Sequence, residues 1–236
     1  MEAYIGELLG TFILILVGHS VNANVSLAKT NGNNSGWIVT TWGWGIAVFI
    51  AVFMTADISG AHINPAVTIG LASAGNFEWA LVPGYIAAQM IGAFVGALCV
   101  WLQFRDHFDE TEDPAAKLGV FSTAPAIPNT SINFFCETIA TFVLVLGVLY
   151  IAAPDVGLGA LDALPVGLLV FGIGMGMGGT TGYAINPARD LGPRLAHAVV
   201  PIKGKGSNDW GYAWIPVAGP TLGSIIAAVV YRILPF

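Results

Sequence analysis

Asn64-Pro65-Ala66 and Asn186-Pro187-Ala188 repeat one tripeptide within a chain of 236 residues. Each copy follows a short segment that contains glycine, Ser-Gly-Ala-His-Ile at 59–63 and Thr-Gly-Tyr-Ala-Ile at 181–185. Asparagine is a strong N-cap, and proline is favoured at the first helical position, where its missing N–H is not needed. Each tripeptide therefore predicts the start of a helix that is preceded by non-helical backbone.

The composition places both tripeptides in a membrane protein. Hydrophobic residues make up 56% of the chain, charged residues only 9%, and the mean hydropathy is +0.76. A soluble domain carries about 25% charged residues, so the soluble and disordered classes are excluded. The net charge of −6, with only 8 lysines and arginines, also excludes a nucleic-acid partner.

Six stretches are apolar and approach the roughly 20 residues that a transmembrane helix needs. They are residues 3–21, 37–56, 79–104, 132–152, 163–180 and 212–231. Because the runs are continuously apolar, they exclude a β-barrel, whose strands alternate in polarity. The first stretch carries no lysine or arginine and is too long for a cleavable signal peptide. The sequence predicts an all-α membrane protein with six transmembrane helices.

The chain also repeats itself. The first span of each half contains a glutamate, Glu7 or Glu137, followed four residues later by threonine and five later by phenylalanine. Each half then has a second span and one Asn-Pro-Ala tripeptide. Three spans per half give the halves opposite orientations, so we predict one channel domain over 1–236, made of inverted repeats at about 1–115 and 130–236. Such repeats place the functional site at the membrane midplane.

The helices that begin at the tripeptides are short, about 64–74 and 186–199. At 1.5 Å per residue each crosses roughly half of the hydrocarbon core, which predicts two re-entrant half-helices that meet at the centre. Their N-termini, with about +0.5 charge each, would repel cations. The Asn64 and Asn186 amides would donate hydrogen bonds to a passing oxygen. Irregular backbone at this depth must line protein or water, and the carbonyls expected along the path are those of Gly60, Ala61, His62, Gly182, Tyr183 and Ala184.

Over nearly its whole length the chain resembles the major intrinsic protein family, the aquaporins. The resemblance rests on Glu7, residues 59–68, Glu137 and residues 182–190. Because Asp190 directly follows an arginine, the chain resembles the glycerol-conducting branch of the family, the aquaglyceroporins. Within that branch it is most similar to bacterial glycerol facilitators. The family implies six helices plus two half-helices, a pore in each subunit and a homotetramer surrounded by lipid in the bacterial cell membrane. It also implies that both termini are cytoplasmic and that no cofactor is bound.

The resemblance further implies a narrow selectivity filter near the outer mouth, formed by Trp44, Gly174, Tyr183 and Arg189. Val67 takes the place of the arginine in the first half, so this fixed cation stands on one side of the centre only. Its guanidinium can donate to a permeant hydroxyl and repel cations. The alternatives are that Trp44 and Tyr183 are ordinary core residues and that Arg189 is merely paired with an acid.

Three acids are implied to support the pore. Glu7 and Glu137 match buried acids that hold the two approach segments by hydrogen bonds, and Asp190 is grouped with them. A carboxylate at membrane depth costs about 2.5–3.5 kcal/mol on insertion scales, so each needs partners inside the protein. The alternative is a protonated acid in a helix contact.

Three features depart from the family pattern or oppose it. Tyr183 stands where glycerol facilitators most often have phenylalanine, which leaves smaller or more polar solutes open as substrates. Asp57, at the end of the second span, either caps or pairs near the inner vestibule or is solvated. The loops expected inside, 75–78 and 153–161, carry no lysine or arginine, whereas outer segments such as the loop at 105–129 do. The positive-inside rule thus opposes the family orientation, which we follow.

The leading hypothesis is a passive channel for glycerol, water and other small neutral solutes, such as urea, dihydroxyacetone or undissociated lactic acid. The alternative is a water-selective aquaporin, against which Gly174 and Asp190 argue. An ion-coupled transporter would need titratable groups at the midplane, where only the two glutamates qualify and are interpreted as structural. A membrane enzyme would need a nucleophile–base pair or a metal cluster, and neither pattern is present, so no metal is predicted.

Overall fold

The computed structural model describes residues 1–151 and 161–234, and within these ranges it contains helices and their connections only. The helices are α1 (Glu2–Ser26), α2 (Trp37–Ser59), α3 (Pro65–Ala74), α4 (Val82–Gln103), α5 (Arg105–Glu110), α6 (Pro114–Phe121), α7 (Thr130–Ile151), α8 (Leu164–Met177), α9 (Pro187–Val199) and α10 (Ile215–Ile233), with a 3₁₀ turn at Trp79–Leu81. The predicted all-α fold class is confirmed.

In the described ranges, five helices are long and apolar enough to cross a membrane: α1, α2, α4 with its 3₁₀ turn, α7 and α10. The fifth predicted span, 163–180, is shorter than expected, because α8 contains 14 residues, about 21 Å at 1.5 Å per residue. It ends at Met177, before two glycines, which are poor helix formers. Residue 152 of the fourth predicted span and most of the loop predicted at 153–161 lie outside the described residues.

The bundle has two ends, which fix the direction of the helices. We call the end where α1 begins the near end. Helix α2 ends there, because Gly6 lies against Ser59, and α8 runs antiparallel to α2, with Gly174 against Thr41. The chain after α2 turns back inward from the near end to start α3, and the chain after α8 turns back inward from the far end to start α9. Helices α3 and α9 are therefore re-entrant, with their N-termini at the centre.

Glycines at four-residue spacing allow the long helices to pack closely. A Cβ at Gly92 would overlap the Leu8 carbonyl oxygen, and a Cβ at Gly223 would overlap the Thr138 carbonyl oxygen. Small residues at such positions let backbones approach in lipid, where the hydrophobic effect does not drive helices together. The same close contact thus occurs twice, α4 along α1 and α10 along α7.

The far end contains two short helices in a segment that was predicted to be a loop. Helices α5 and α6 both lie within residues 105–129. The start of α6 has a readable signal, since it has a proline at its beginning and the Asp113 side chain accepts the Ala115 N–H at 2.8 Å. Helix α6 packs against α1 and α9, and so it lies close to the far side of the central site.

Candidate functional site

Two asparagines cap the half-helices where their N-termini meet. Asn64 Oδ1 accepts the Ala66 N–H at 2.8 Å, at the start of α3. Asn186 Oδ1 accepts the N–H groups of Ala188 and Arg189 at 3.0 and 3.2 Å, at the start of α9. A proline occupies the first helical turn in both cases. The helix starts predicted from the tripeptides are confirmed.

The same asparagines also connect the two halves of the chain. Asn64 Nδ2 donates to the Ile185 carbonyl at 2.9 Å, and Asn186 Nδ2 donates to the Ile63 carbonyl at 2.9 Å. A primary amide carries two N–H donors, so each asparagine keeps one N–H that this exchange does not use. The exchange joins residues 121 positions apart or more, and no local sequence signal predicts it.

Glu7 holds the first approach segment. Its Oε1 accepts the Ser59 hydroxyl and the His62 N–H, both at 2.8 Å. Its Oε2 accepts the Ile63 N–H and the Gln89 side-chain amide, both at 2.7 Å. With four donors on two oxygens the carboxylate is well solvated by protein, which explains how it lies fully buried at this depth.

Glu137 plays the equivalent part for the second approach segment. Its two carboxylate oxygens accept the N–H groups of Ala184 and Ile185, each at 2.9 Å. The glutamate is also fully buried. Both acids therefore satisfy backbone N–H groups that have no helical partner, as irregular backbone in a membrane requires.

The approach segments need such support because their backbone is strained. Six residues have positive φ: Gly60 (79°), Ala61 (46°), Ile63 (45°), Gly182 (81°), Tyr183 (40°) and Ile185 (44°). Only glycine adopts this region without penalty, and a β-branched residue such as isoleucine is a genuine outlier there. Strain of this kind persists where the surroundings over-determine it, and here the two glutamates and the asparagine exchange do so.

A cavity of about 330 Å³ passes the two asparagines. Part of its lining consists of apolar side chains from α1, α2, α7 and α8, among them Leu14, Val48, Leu144, Val148, Val166 and Val170. The approach segments and half-helix starts supply the other part, with Gly60, Ala61, His62, Asn64, Ala184 and Asn186. Trp44, Tyr183 and Arg189 line the cavity on the far side of the centre, and Asp162 also belongs to the lining. Of the predicted pore residues, Gly174 and Gly182 lie outside this lining.

Arg189 lies across the face of an indole ring. Its Cζ is 4.4 Å from the centroid of the Trp44 ring, within the range of a cation–π contact. Arg189 is only 6% exposed, and its Nη1 has no hydrogen-bond partner in the described part of the chain. A guanidinium carries five N–H donors, and because Arg189 lines the cavity it can donate to an oxygen that enters there.

The ring of Tyr183 fills the space that Gly174 leaves. A Cβ at Gly174 would lie 2.8 Å from Tyr183 Cζ and 2.9 Å from its hydroxyl oxygen. Trp37 packs edge-on against the same ring at 5.8 Å between centroids, and its Nε1 donates to the Gly174 carbonyl at 3.1 Å. Among the described residues the Tyr183 hydroxyl has no hydrogen-bond partner. Gly174 thus affects the cavity through the tyrosine that it accommodates.

Asp190 pairs with Arg194 and not with Arg189. Its Oδ1 accepts Arg194 Nε at 2.9 Å, and its Oδ2 accepts the backbone N–H and the hydroxyl of Thr123 at 2.7 and 2.8 Å. Arg194 in turn donates to the carbonyl of Asn208 at 2.8 Å. The pair is fully buried, and it fastens the segments before α7 and before α10 to α9 at the far end.

Two polar residues next to His62, Thr68 and Gln89, are not among the site residues predicted from the sequence. Thr68 Oγ1 accepts the Gln89 side-chain amide at 2.9 Å and lies 3.1 Å from His62 Nδ1. Gln89 could have been predicted, because it is a polar side chain inside an apolar span. A polar group at that depth is costly unless it has a partner inside the protein. Asp57, whose role the sequence left open, is exposed on α2.

Comparisons with known proteins agree with this architecture. A family model described as Major intrinsic protein matches residues 1–231. The chain is 55% identical over 232 residues to a protein of Thermotoga maritima named "Probable glycerol uptake facilitator protein", covering 98% of this chain and 99% of the relative. It is 56% identical over 232 residues to the "Glycerol uptake facilitator protein" of Bacillus subtilis, covering 98% and 84%. The X-ray structure of an aquaglyceroporin from Plasmodium falciparum matches with a TM-score of 0.86 at 33% identity, covering 98% and 95%.

Proposed function

The chain belongs to the major intrinsic protein family, and on this premise we propose that its cavity is a passive channel for glycerol, water and other small neutral solutes. As a member of this family it is an integral membrane channel and not an enzyme. Relatives named as glycerol uptake facilitators, at 50–56% identity, support glycerol as a permeant solute. Movement down a concentration gradient needs no cofactor and no coupled ion.

The two-part lining of the cavity carries the proposal. Apolar side chains from four helices supply one part, and backbone carbonyls, asparagine amides and an arginine belong to the segments that supply the other. Glycerol has a hydrocarbon backbone with hydroxyl groups, so a lining of this kind can contact its carbons and bond its hydroxyls together. The polar groups then replace the hydration that a polyol loses on entry, which is the main barrier to crossing lipid.

The donors expected to act on the solute are few and fixed. Asn64 and Asn186 each keep one amide N–H beyond the exchange between the halves, and the guanidinium of Arg189 lines the cavity. We propose that these donors bond permeant oxygens in succession, with Trp44, Tyr183 and Arg189 as the selectivity filter. The carbonyls of Gly60, Ala61, His62 and Ala184 serve as acceptors, and Gly174 contributes by seating Tyr183.

Ions and protons are excluded in this proposal by positive potential along the path. The two half-helix N-termini each carry about half an elementary charge, and Arg189 adds a full one. A water molecule that accepts hydrogen bonds from both asparagines turns its own hydrogens away from the centre, which interrupts proton relay. The two glutamates are occupied by backbone and amide donors, so they support the pore and do not shuttle protons.

We further propose one channel domain built from two inverted repeats, a homotetramer in lipid, and cytoplasmic termini at the near end. Three of the far-end lysines that oppose this orientation have structural partners. Lys205 Nζ donates to the carbonyls of His197, Ala198 and Val200 at 2.8–2.9 Å and so caps α9. Lys117 Nζ donates to the Lys203 carbonyl, and Lys29 pairs with Glu110. In this proposal, their use in holding the loops explains why these lysines can lie on the outer side.

Stopped-flow light scattering of vesicles that contain the purified protein tests the function. After a glycerol shock, we expect the vesicles to regain volume much faster than empty vesicles, and after a sucrose shock to shrink faster without regaining volume. Glycerol recovery no faster than in empty vesicles would refute the glycerol channel. Rapid water flux with no glycerol flux would favour a water-selective pore instead.

Arg189→Val should make the pore leak cations and protons while glycerol flux persists. Valine is the residue that the first half has at the equivalent place, and a full charge about 5 Å from the path contributes about 3 kcal/mol at an effective dielectric of 20. We therefore expect proton leak to rise by one to two orders of magnitude, roughly. A pH-sensitive dye inside vesicles under a potassium diffusion potential measures it.

Arg105→Val is the matched control, because Arg105 is exposed at the start of α5. It should leave the proton leak at the level of the unmodified channel. An equal leak in both variants, or none in either, would contradict the role given to Arg189.

A further inference from the structure

The indole of Trp44 sits in a seat formed by one face of α1. Gly18 makes room for the six-membered ring, since a Cβ there would lie 2.6 Å from Trp44 Cζ3. His19 meets the indole edge-on at 5.1 Å between ring centroids. Asn22 Oδ1 accepts the Trp44 Nε1–H at 2.9 Å. The Arg189 guanidinium lies over the ring. The indole is therefore held by packing against α1, by the hydrogen bond to Asn22 and by the cation–π contact with Arg189.

The hydrogen bond to Asn22 decides what the tryptophan can offer a solute. An indole has a single N–H donor and no acceptor, and Asn22 takes that donor. Trp44 is therefore left with its ring as an apolar surface, and it cannot bond a hydroxyl in the cavity. Without Asn22 the buried N–H would be unsatisfied, and the ring would turn to find a partner among the permeant molecules or the cavity carbonyls.

The same two α1 side chains, His19 and Asn22, also hold α6, which packs against α1 and α9. Asn22 Nδ2 donates to the Gly119 carbonyl at 3.3 Å, and His19 Nδ1 bonds the Val120 carbonyl. Both carbonyls belong to α6. His19 and Asn22 thus couple the position of α6 to that of Trp44, and both residues are buried, at 1% and 8% exposure.

We propose that Asn22 is a positioning residue of the selectivity filter, which fixes the Trp44 ring and thereby sets the ratio of glycerol to water flux. The proposal rests on the channel function given above and adds a residue from α1 that does not line the cavity. Glycerol needs a flat apolar wall for its carbons as well as donors for its hydroxyls, whereas water needs only hydrogen bonds. A ring that turns away from its seat should therefore slow glycerol more than water.

Asn22→Ala tests the proposal when glycerol and water permeabilities are both measured on the same vesicles. Their ratio does not depend on how much channel each preparation contains. We expect the ratio to fall about threefold or more, the size of one lost buried hydrogen bond. Ser20→Ala is the matched control, because Ser20 lies on the same turn and donates to Gln103 at 3.2 Å, away from Trp44. It should leave the ratio unchanged.

A double-mutant cycle then asks whether Asn22 acts through the indole N–H. Phenylalanine at position 44 has no N–H to bond, so Asn22→Ala added to Trp44→Phe should change the ratio far less than it does alone. Should Asn22→Ala fail to accumulate, Asn22→Ser keeps a polar group on α1 but is too short to reach the indole, and it enters the same cycle.

An unchanged or raised ratio in the single variant would overturn the positioning role, as would an equal fall in the Trp44→Phe background. In either case glycerol flux through the unmodified protein above that of empty vesicles would leave the channel function intact. Absence of that flux would overturn both, because there would be no glycerol filter to position.

Discussion

Gly223→Leu should abolish the folded channel. A Cβ at this position would overlap the Thr138 carbonyl oxygen and lie 2.9 Å from the Phe142 backbone nitrogen, and backbone atoms of α7 cannot turn aside as a flexible side chain can. Overpacking by even one methylene costs about 1–3 kcal/mol, and leucine adds a whole side chain. Because one or two kcal/mol already shifts the folded ratio by about 5–30-fold, we expect little monodisperse protein on size-exclusion chromatography.

Gly172→Leu is the control for this experiment. Gly172 lies in α8 and is exposed, and a Cβ added there would meet no atom within 4 Å. Leucine there should be tolerated, with a yield and melting temperature close to those of the unmodified protein. Equal yields of the two variants would contradict the close packing of α10 on α7.

Glu137→Gln should lower thermal stability and glycerol flux together. The carboxylate accepts two backbone N–H groups, from Ala184 and Ile185, whereas a glutamine offers one oxygen and one NH₂ group. One of these two buried backbone N–H groups then faces the NH₂ group of the glutamine, which is also a donor. The lost hydrogen bond costs about 1–3 kcal/mol. For a chain of this size we expect the melting temperature to fall by roughly 2–12 °C, with lower flux because the approach segment relaxes.

Glu2→Gln provides the comparison, since Glu2 is an exposed acid in the first turn of α1. Its melting temperature and flux should stay near those of the unmodified protein. If Glu137→Gln abolished flux while the melting temperature stayed constant, the supporting role would be wrong, and a direct part in permeation would have to replace it.

Much of the fold follows from patterns that are local in the sequence. Apolar runs of about 20 residues predict spanning helices because lipid offers backbone groups no partner. Asparagine followed by proline predicts the starts of α3 and α9, because capping needs only the next turn of the chain. The fifth span was less predictable, since α8 is shortened by glycines next to the second approach segment.

The details of the site depend on contacts between distant segments. Gly174 carries no mark in the sequence that assigns it to Tyr183. The pair of Asp190 and Arg194 has a local signal, since the two residues are four positions apart on one helix, but nothing local links Asp190 to Thr123. Asn22 and His19 look like ordinary polar residues near the end of a span. Each gained its part only when α1, α2, α6, α8 and α9 came together at the far end.

By itself, therefore, the sequence determined that this is a helical membrane protein and that two helices start at Asn64 and Asn186. It also determined that the two halves differ at one place, where the second has Arg189 and the first has Val67. Tertiary structure alone decided which carbonyls the asparagines bond, which backbone groups the glutamates hold, and which ring each glycine accommodates. The physical reason is range: hydrophobic periodicity and capping act within a turn or a span, whereas a buried hydrogen bond between segments more than 100 residues apart exists only after the chain has packed.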